Sequence, residues 1–564
     1  MFKKLFRKIK RRQYQDIDPE DIFLDSTNLP GFEEHRFEGR IEKPMGRETF
    51  LILKIVVAVI ILTLISKLWV LSVKQGSIYA QISENNRLEQ TLIFANRGVV
   101  YDRDMRELAT NAVRDESGNF ADRLYFPIKG VAHMVGYLKY PLSDRTGVYY
   151  EENYRGRDGV ERAYDALLGG INGLKLREIN VFGEIISESV IKKPKDGNPV
   201  ILSIDARLTE VLYKAIESLA KDRGFVGGAA ALMDVRTGEI LALTSFPEYD
   251  QSILTAGADQ KAINFLINNP SKPFLNRAIG GLYTPGSILK PIIALAALNE
   301  ELISPTKQIL STGSITVPNP YDPSKPSVFK DWKAHGWTDM REALAVSSDT
   351  YFYSIGGGLG DQRGLGITLL DKYFQSFGLT EKTGIELPGE VAGVIPTPEW
   401  KKQKFDGDLW RLGDTYITAI GQYGTQITPL NAVRFVSAIA NGGKLLTPSL
   451  LFGGNPEPVE RTIQFGVEDW KIVREGMREG VLYGTSVGLN VPYVKAAAKT
   501  GTAEVGPAKS YVHSWSVGFF PFENPRYAGA VVMEKGPSSN TLGATSVVRR
   551  LFDWMAINTP EYFE

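Results

Sequence analysis

The 564 residues, 43% of them hydrophobic, supply ample material for a large core and more than one domain. Lysine plus arginine equals aspartate plus glutamate at 65 each, so net charge offers no case for nucleic acid as a partner. There is no cysteine, which excludes disulfides, thiol catalysis and cysteine-based zinc sites and fits an extracytoplasmic protein free of disulfide chemistry.

In chain order, the first twelve residues carry seven basic side chains, from Lys3 to Arg12, and the chain then turns acidic from Asp16 to Glu38. Such charge blocks read as a disordered tail over 1–49. Phe50 to Leu71 is apolar apart from Lys54, Thr63, Ser66 and Lys67. At ~1.5 Å rise per residue a helix of that length spans roughly 30 Å, the thickness of a bilayer's hydrocarbon core. A cleaved signal peptide is the competing reading; no Ala-x-Ala-like site follows and the tail is long, so an uncleaved transmembrane anchor over 50–71 is expected. The basic start assigns the tail to the cytoplasm and everything after about Ser72 to the far side.

Residues 72–199 hold short strand-like runs such as Leu92–Phe94 and Gly98–Tyr101, and Lys192–Pro199 reads as a linker. From Val200 a second domain, 200–564, opens with two strand-like runs, Gly228–Asp234 and Glu239–Leu243, around a Thr237-Gly238 turn. Gln260–Glu301 reads as mostly helical and Thr415–Ala440 as a long apolar-helical stretch, with Gly356-Gly357-Gly358 a flexible connector without the Lys-Ser/Thr of a phosphate loop. Two further strands, Ser514–Phe520 and Tyr527–Met533, flank a Glu523-Asn524-Pro525 turn, and a helix with Val547, Val548, Leu551 and Trp554 closes the chain. Strand, helices, then strands imply an α+β fold: an antiparallel sheet with helices on its faces and a helical lobe.

The chemistry starts at Ser287 and Lys290. Pro285-Gly286 signals a turn, and Ile292, Ile293, Leu295 and Leu298 recur at helical spacing, so Ser287 falls near a helix N-terminus. At i, i+3 its hydroxyl and the Lys290 amine share a face, within reach of proton transfer, and a lysine held neutral can activate a serine. On this segment alone a capping serine followed by a surface lysine is the more ordinary reading. Downstream, Asp339 with Glu342 can cap a short helix that ends at Ser347-Ser348-Asp349, and a small-residue strand carries Lys499-Thr500-Gly501-Thr502.

Ser-x-x-Lys, Ser-x-[Asn/Asp] and Lys-Thr-Gly in this order form the signature of the penicillin-recognising serine acyltransferases. From about Ser77 onward the chain resembles the class B penicillin-binding proteins, and within them the elongation-type branch. The resemblance includes Asn96–Arg103, His133–Tyr137, Gly159-Val160-Glu161, Ala231–Ala242, Asn276-Arg277-Ala278, Gly384–Glu390 and His513-Ser514-Trp515. It implies a transpeptidase domain over 200–564 standing on a β-rich pedestal, 72–199, behind one membrane helix. Only about thirty residues separate Arg103 from His133, where the family usually carries an insertion, so this pedestal is short.

For the site, the resemblance implies Ser287 as nucleophile, Lys290 as base, Ser347 as proton relay and Lys499 as a fixed positive charge. Thr500 and Thr502 bind a substrate carboxylate, Gly501 lies with them on the strand edge, and the Ser287 and Thr502 N–H groups form an oxyanion hole. Asp349 stands where most of the superfamily has asparagine; its carboxylate near two lysines favours a protonated Lys290, so the base assignment stays open. The implied reaction is D,D-transpeptidation of peptidoglycan stem peptides, trapped by β-lactams, at the inner membrane beside a membrane glycosyltransferase of the elongation machinery. Neither a cofactor nor a metal is implied. A D,D-carboxypeptidase or β-lactamase-like hydrolase and a non-catalytic penicillin sensor or scaffold are the alternatives. His133, His335 and His513 read as structural or cleft-lining, and Tyr423 has no explanation at this level.

Overall fold

The structure, a computed structural model, describes residues 47–85, 88–112, 120–145, 147–179, 185–319, 322, 324–454 and 458–564. The expected tail over 1–49 lies outside them apart from its last three residues. The chain divides into two compact units, Met1–Leu88 and Glu89–Glu564. In the first, α1 (Arg47–Trp69) runs 23 residues with no buried side chain. Among the described residues Arg47–Lys74 is the one helix long and apolar enough to cross a membrane.

The second unit begins with small sheets. Val200–Ile201, Val100–Tyr101, Glu107–Asn111 and Arg123–Tyr125 form a four-stranded sheet in that order, and Gly173–Ile179 pairs antiparallel with Ile185–Lys192. The Lys192–Pro199 stretch is therefore built in: Lys195 exchanges two backbone hydrogen bonds with Ile171, and Gly197 N–H donates to Asn96 O. A buried ion cluster fixes this region. Glu161 accepts from Arg97 Nε at 2.5 Å and Arg123 Nε at 2.8 Å, all three side chains fully enclosed. His133 Nε2 lies 2.8 Å from Pro273 O, and Glu248 accepts the Gly130 and Ala132 N–H groups, tying the small sheets to the chain that follows them.

Then comes α2 (Ala206–Arg223), capped by Asp205 and ended by Gly224 in the left-handed region. Strands β1 (Gly227–Asp234) and β2 (Ile240–Phe246) form the expected hairpin. After the helical lobe come β3 (Ala497–Val505), β4 (Tyr511–Phe520) and β5 (Tyr527–Pro537), giving an antiparallel sheet ordered β2-β1-β5-β4-β3. Period-2 alternation sends successive side chains to opposite faces of the sheet, and both faces are buried. Ala229, Ala231 and Met233 join one core cluster, Ala230 and Leu232 the other, so β1 is covered on both faces. Leu212 and Ile216 of α2, with Leu551 and Phe552 of the closing helix (Ala544–Asn558), cover one face; Val433 and Val436 of the helix Pro429–Asn441 belong to the other cluster.

Two expected helical stretches are broken. Gln260–Glu301 resolves into Gln260–Ile267, Arg277–Gly280, a 3-10 turn and a last helix, because Pro270, Pro273 and Pro285 interrupt the ladder. Thr415–Ala440 is split between Leu412–Thr418 and Pro429–Asn441 by Gly421, Tyr423 and Gly424, all at positive φ.

Candidate active site

The turn that carries Ser287 is held from two sides. Gly286–Leu289 is a 3-10 turn that runs into the helix Lys290–Asn299, with Pro291 in its first turn where no donor is needed. Ser287 thus lies on the 3-10 turn, at the mouth of a helix buried over nearly its whole length. Gly286 sits at φ +59, donates to Gly421 O at 2.9 Å, and would put a Cβ 2.9 Å from Thr502 O. Tyr283 exchanges backbone hydrogen bonds with Ile427, and Trp515 Nε1 donates to Thr284 O at 2.9 Å. The turn is wedged between the Lys-Thr-Gly strand and the 421–427 segment.

The second motif joins two helices. The helix Met340–Val346 starts with the expected capping box, Asp339 with Glu342. It ends at Ser347 in the left-handed region, φ 61, and Ser348 then caps the helix Asp349–Gly357 through the Tyr351 N–H. The two helices meet at a sharp corner, with Ser347 at its apex. The third motif occupies β3, the outermost strand of the sheet, where Thr500, Gly501 and Thr502 face the cleft.

The three motifs converge. Lys290 Nζ donates to Asp349 Oδ1 at 2.6 Å and Ser347 O at 2.9 Å, and lies 3.4 Å from Ser347 Oγ. Lys499 Nζ donates to Ser347 Oγ at 2.8 Å and Thr500 O at 3.0 Å. Thr500 Oγ1 donates to Thr485 Oγ1 at 2.6 Å. Both lysines are enclosed, whereas Ser287, Ser347, Asp349, Thr500, Gly501 and Thr502 line an open cleft of about 860 Å³. The hydroxyls and strand edge thus face the space a substrate would fill, and the amines lie behind them.

Electrostatics separates the two lysines. Burial, then the charge of Lys290, pushes Lys499 well below the usual lysine range, with Asp349 opposing. The fixed positive charge expected of Lys499 meets surroundings that favour the neutral amine. Lys290 has the carboxylate at 2.6 Å, so the ion pair of the site is Lys290 with Asp349.

Sequence reasoning missed Trp332, which lines the cleft and whose Nε1 lies 3.3 Å from Ser347 O, and Asp331 beside it. Neither belongs to a local motif, and no spacing in the sequence points to either. The three histidines take quiet places: His133 is buried against Pro273, His335 packs on Trp332, and His513 accepts from the Lys535 N–H beside Tyr283. Gly356-Gly357 is no connector. Both lie inside a helix, where a Cβ would come 2.3 Å from Ala419 Cβ and 2.5 Å from the Tyr416 ring. Tyr423, at φ 59, packs its ring edge-on against Trp400 and Trp410.

The penicillin-binding protein transpeptidase domain matches residues 228–553, and the penicillin-binding protein dimerisation domain matches 119–202. The peptidoglycan D,D-transpeptidase MrdA of Acinetobacter baumannii is 33% identical over 452 residues, covering 75% of this chain and 64% of its own length, a little under two thirds. Pseudomonas aeruginosa PBP2, solved in complex with WCK 5153, is 30% identical with a TM-score of 0.68 over 84% of this chain and all of that one. A chain from a structure describing polymerization and crosslinking by a peptidoglycan synthase complex is 26% identical with a TM-score of 0.70, over 90% of this chain and 98% of its own. The chain belongs to the penicillin-binding protein transpeptidase family, among the peptidoglycan D,D-transpeptidases of the PBP2 type.

Proposed function

We propose that this protein cross-links peptidoglycan stem peptides through an acyl-enzyme on Ser287. The observation that carries the reading is the meeting of Lys290, Ser347, Asp349 and Lys499 behind a cleft walled by Ser287 and the Thr500–Thr502 edge. Ser287 Oγ attacks the carbonyl carbon of the penultimate D-alanine while Lys290 takes its proton. At 2.6 Å, Asp349 can hold the proton that Lys290 must first give up, and the pair's net charge stays unchanged. The Ser287 and Thr502 N–H groups stabilise the tetrahedral oxyanion. The C–N bond to the terminal D-alanine breaks, and its nitrogen receives a proton through Ser347, which Lys499 contacts. An amine of a neighbouring strand then attacks the ester, forms the amide and returns the serine hydroxyl. Thr500 and Thr502 hold the donor carboxylate, with Gly501 between them letting the strand lie against the Ser287 turn, where a Cβ would come 2.5 Å from Pro285 O.

We further read α1 as a single-pass anchor with a cytoplasmic N-terminus and the catalytic unit outside. The similarity to a chain from a complex that couples polymerization to crosslinking supports a membrane glycosyltransferase of the elongation machinery as partner. The test is incubation of the purified full chain with a fluorescent penicillin beside Ser287→Ala, followed by mass spectrometry. Labelling of the wild type alone, persisting for hours, is expected. Rapid release would mark a hydrolase, and equal labelling of the variant would remove Ser287 as nucleophile.

A further inference from the structure

The corner that carries Ser347 and Asp349 is unusual in what it must hold. Ser347 has φ 61, a conformation that L-residues with a Cβ adopt at a penalty of roughly 1–2 kcal/mol, so neighbouring contacts must keep it there. Those contacts lead to one carboxylate. Asp331, its side chain fully enclosed, accepts at Oδ2 from Ser348 Oγ at 3.0 Å, the Thr350 N–H at 2.9 Å and Ser311 Oγ at 3.0 Å. Oδ1 accepts the Trp332 N–H at 2.9 Å, and His335 Nε2 lies 3.5 Å from it.

Two of these partners are the capping residue and an N–H of the first turn of the helix Asp349–Gly357. A carboxylate there satisfies orphan donors and meets the positive end of the helix dipole. A third partner, Ser311, belongs to a distant strand, Ile309–Ser311, and the fourth is the backbone of the cleft-lining Trp332. One buried anion thereby ties the second motif to the wall of the cleft. Burial alone would raise its pKa, yet the backbone donors and the nearby Lys290 bring it below the usual aspartate value, so it stays ionised in its enclosure. Asp331 itself does not line the cleft.

We infer that Asp331 is a positioning residue for acylation: by holding Ser348 and the Thr350 N–H it fixes the left-handed corner that presents Ser347 and Asp349 to the two lysines. The inference rests on the proposed serine acyl-enzyme reading and adds a group outside the three motifs. It predicts an effect on the chemical step rather than on ligand binding, because the residue reaches the reacting atoms only through the corner.

The test compares the full-length wild type with Asp331→Asn by stopped-flow acylation with a fluorescent penicillin, normalised to active sites by titration. Non-covalent binding is expected to stay within about twofold, while the acylation rate constant falls roughly 10- to 100-fold, the scale that follows from an ångström-sized misplacement. A folded Asp331→Asn whose active molecules acylate at the wild-type rate, or whose loss lies wholly in binding, overturns the proposal. Ser348→Ala keeps the carboxylate and removes one donor to it; a fall in the same rate constant of at least about threefold is expected. An unchanged rate there overturns the proposal even where Asp331→Asn does not fold. Failure of the wild type to be labelled at Ser287 would instead remove the underlying reading, which the Ser287→Ala control separates from these outcomes.

Discussion

Ser347 offers a comparison in which stability and activity separate. Replacing it by alanine removes the hydroxyl that Lys499 Nζ contacts at 2.8 Å and leaves that enclosed amine with Thr500 O alone. An incompletely satisfied buried donor costs about 1–3 kcal/mol, so Ser347→Ala should be destabilised by that amount. Ser347→Gly loses the same contact but also the Cβ that φ 61 disfavours, a relief of about 1 kcal/mol. In an ordinary helix the exchange runs the other way, with glycine the less stable by about 1 kcal/mol. Here the glycine variant should therefore unfold at higher denaturant than the alanine variant. Both should lose acylation by about 10²-fold or more, the scale of a missing proton relay. Denaturant unfolding beside penicillin labelling reads both quantities. An alanine variant as stable as the glycine variant would show that the corner is not strained, and a fully active one that Ser347 moves no proton.

Gly421 supports the Ser287 turn from below: at φ +74 a Cβ would lie 2.1 Å from Gly286 O, so Gly421→Ala should displace the turn. Acylation should fall by about two orders of magnitude per folded molecule. Full labelling by that variant would detach the Gly286 to Gly421 contact from placement of Ser287. Burial lowers His133 from the usual 6.5 to about 4, opposed by its contact to Pro273 O. The unfolded chain therefore binds the extra proton first as the pH falls. Stability present above about pH 6.5 is lost on descending toward pH 4, by about 3 kcal/mol from this group. His133→Gln, which keeps a donor for Pro273 O, should flatten the pH dependence of unfolding between pH 7 and 4 by that amount. An identical slope in wild type and variant would remove His133 as the cause.

The three motifs were legible because each is a continuous stretch whose local chemistry shows in the sequence. A turn before an apolar helix marks Ser287, a capping box marks the helix before Ser347, and a run of small residues marks the edge strand. That Lys290 meets Asp349 and Lys499 meets Ser347 follows from no spacing. Those contacts cross 59 and 152 residues, and the family resemblance alone brought them together. Asp331 escaped notice because its partners come from strand, loop and helix with no repeated pattern. Gly356-Gly357 was misread for a different reason: composition cannot tell a glycine needed for movement from one needed for close approach, and only the Ala419 and Tyr416 contacts decide. The break in Thr415–Ala440 likewise depends on backbone angles at Gly421 and Gly424 that apolar periodicity does not encode.

The position of β3 at the end of the sheet has a consequence for how the protein behaves in concentrated solution. An outermost strand exposes main-chain donors and acceptors to any extended polypeptide, another copy of the same molecule included. Most sheets blunt such a border with charge, proline or a covering loop. Here Thr502 stands exposed on the wall of an open groove and Thr500 is half-buried, while Gly501 is enclosed against the Pro285 carbonyl, so the border is open on its groove side and packed on the other. A ligand seated in the groove would therefore also cover the border through which a second copy could pair with the sheet.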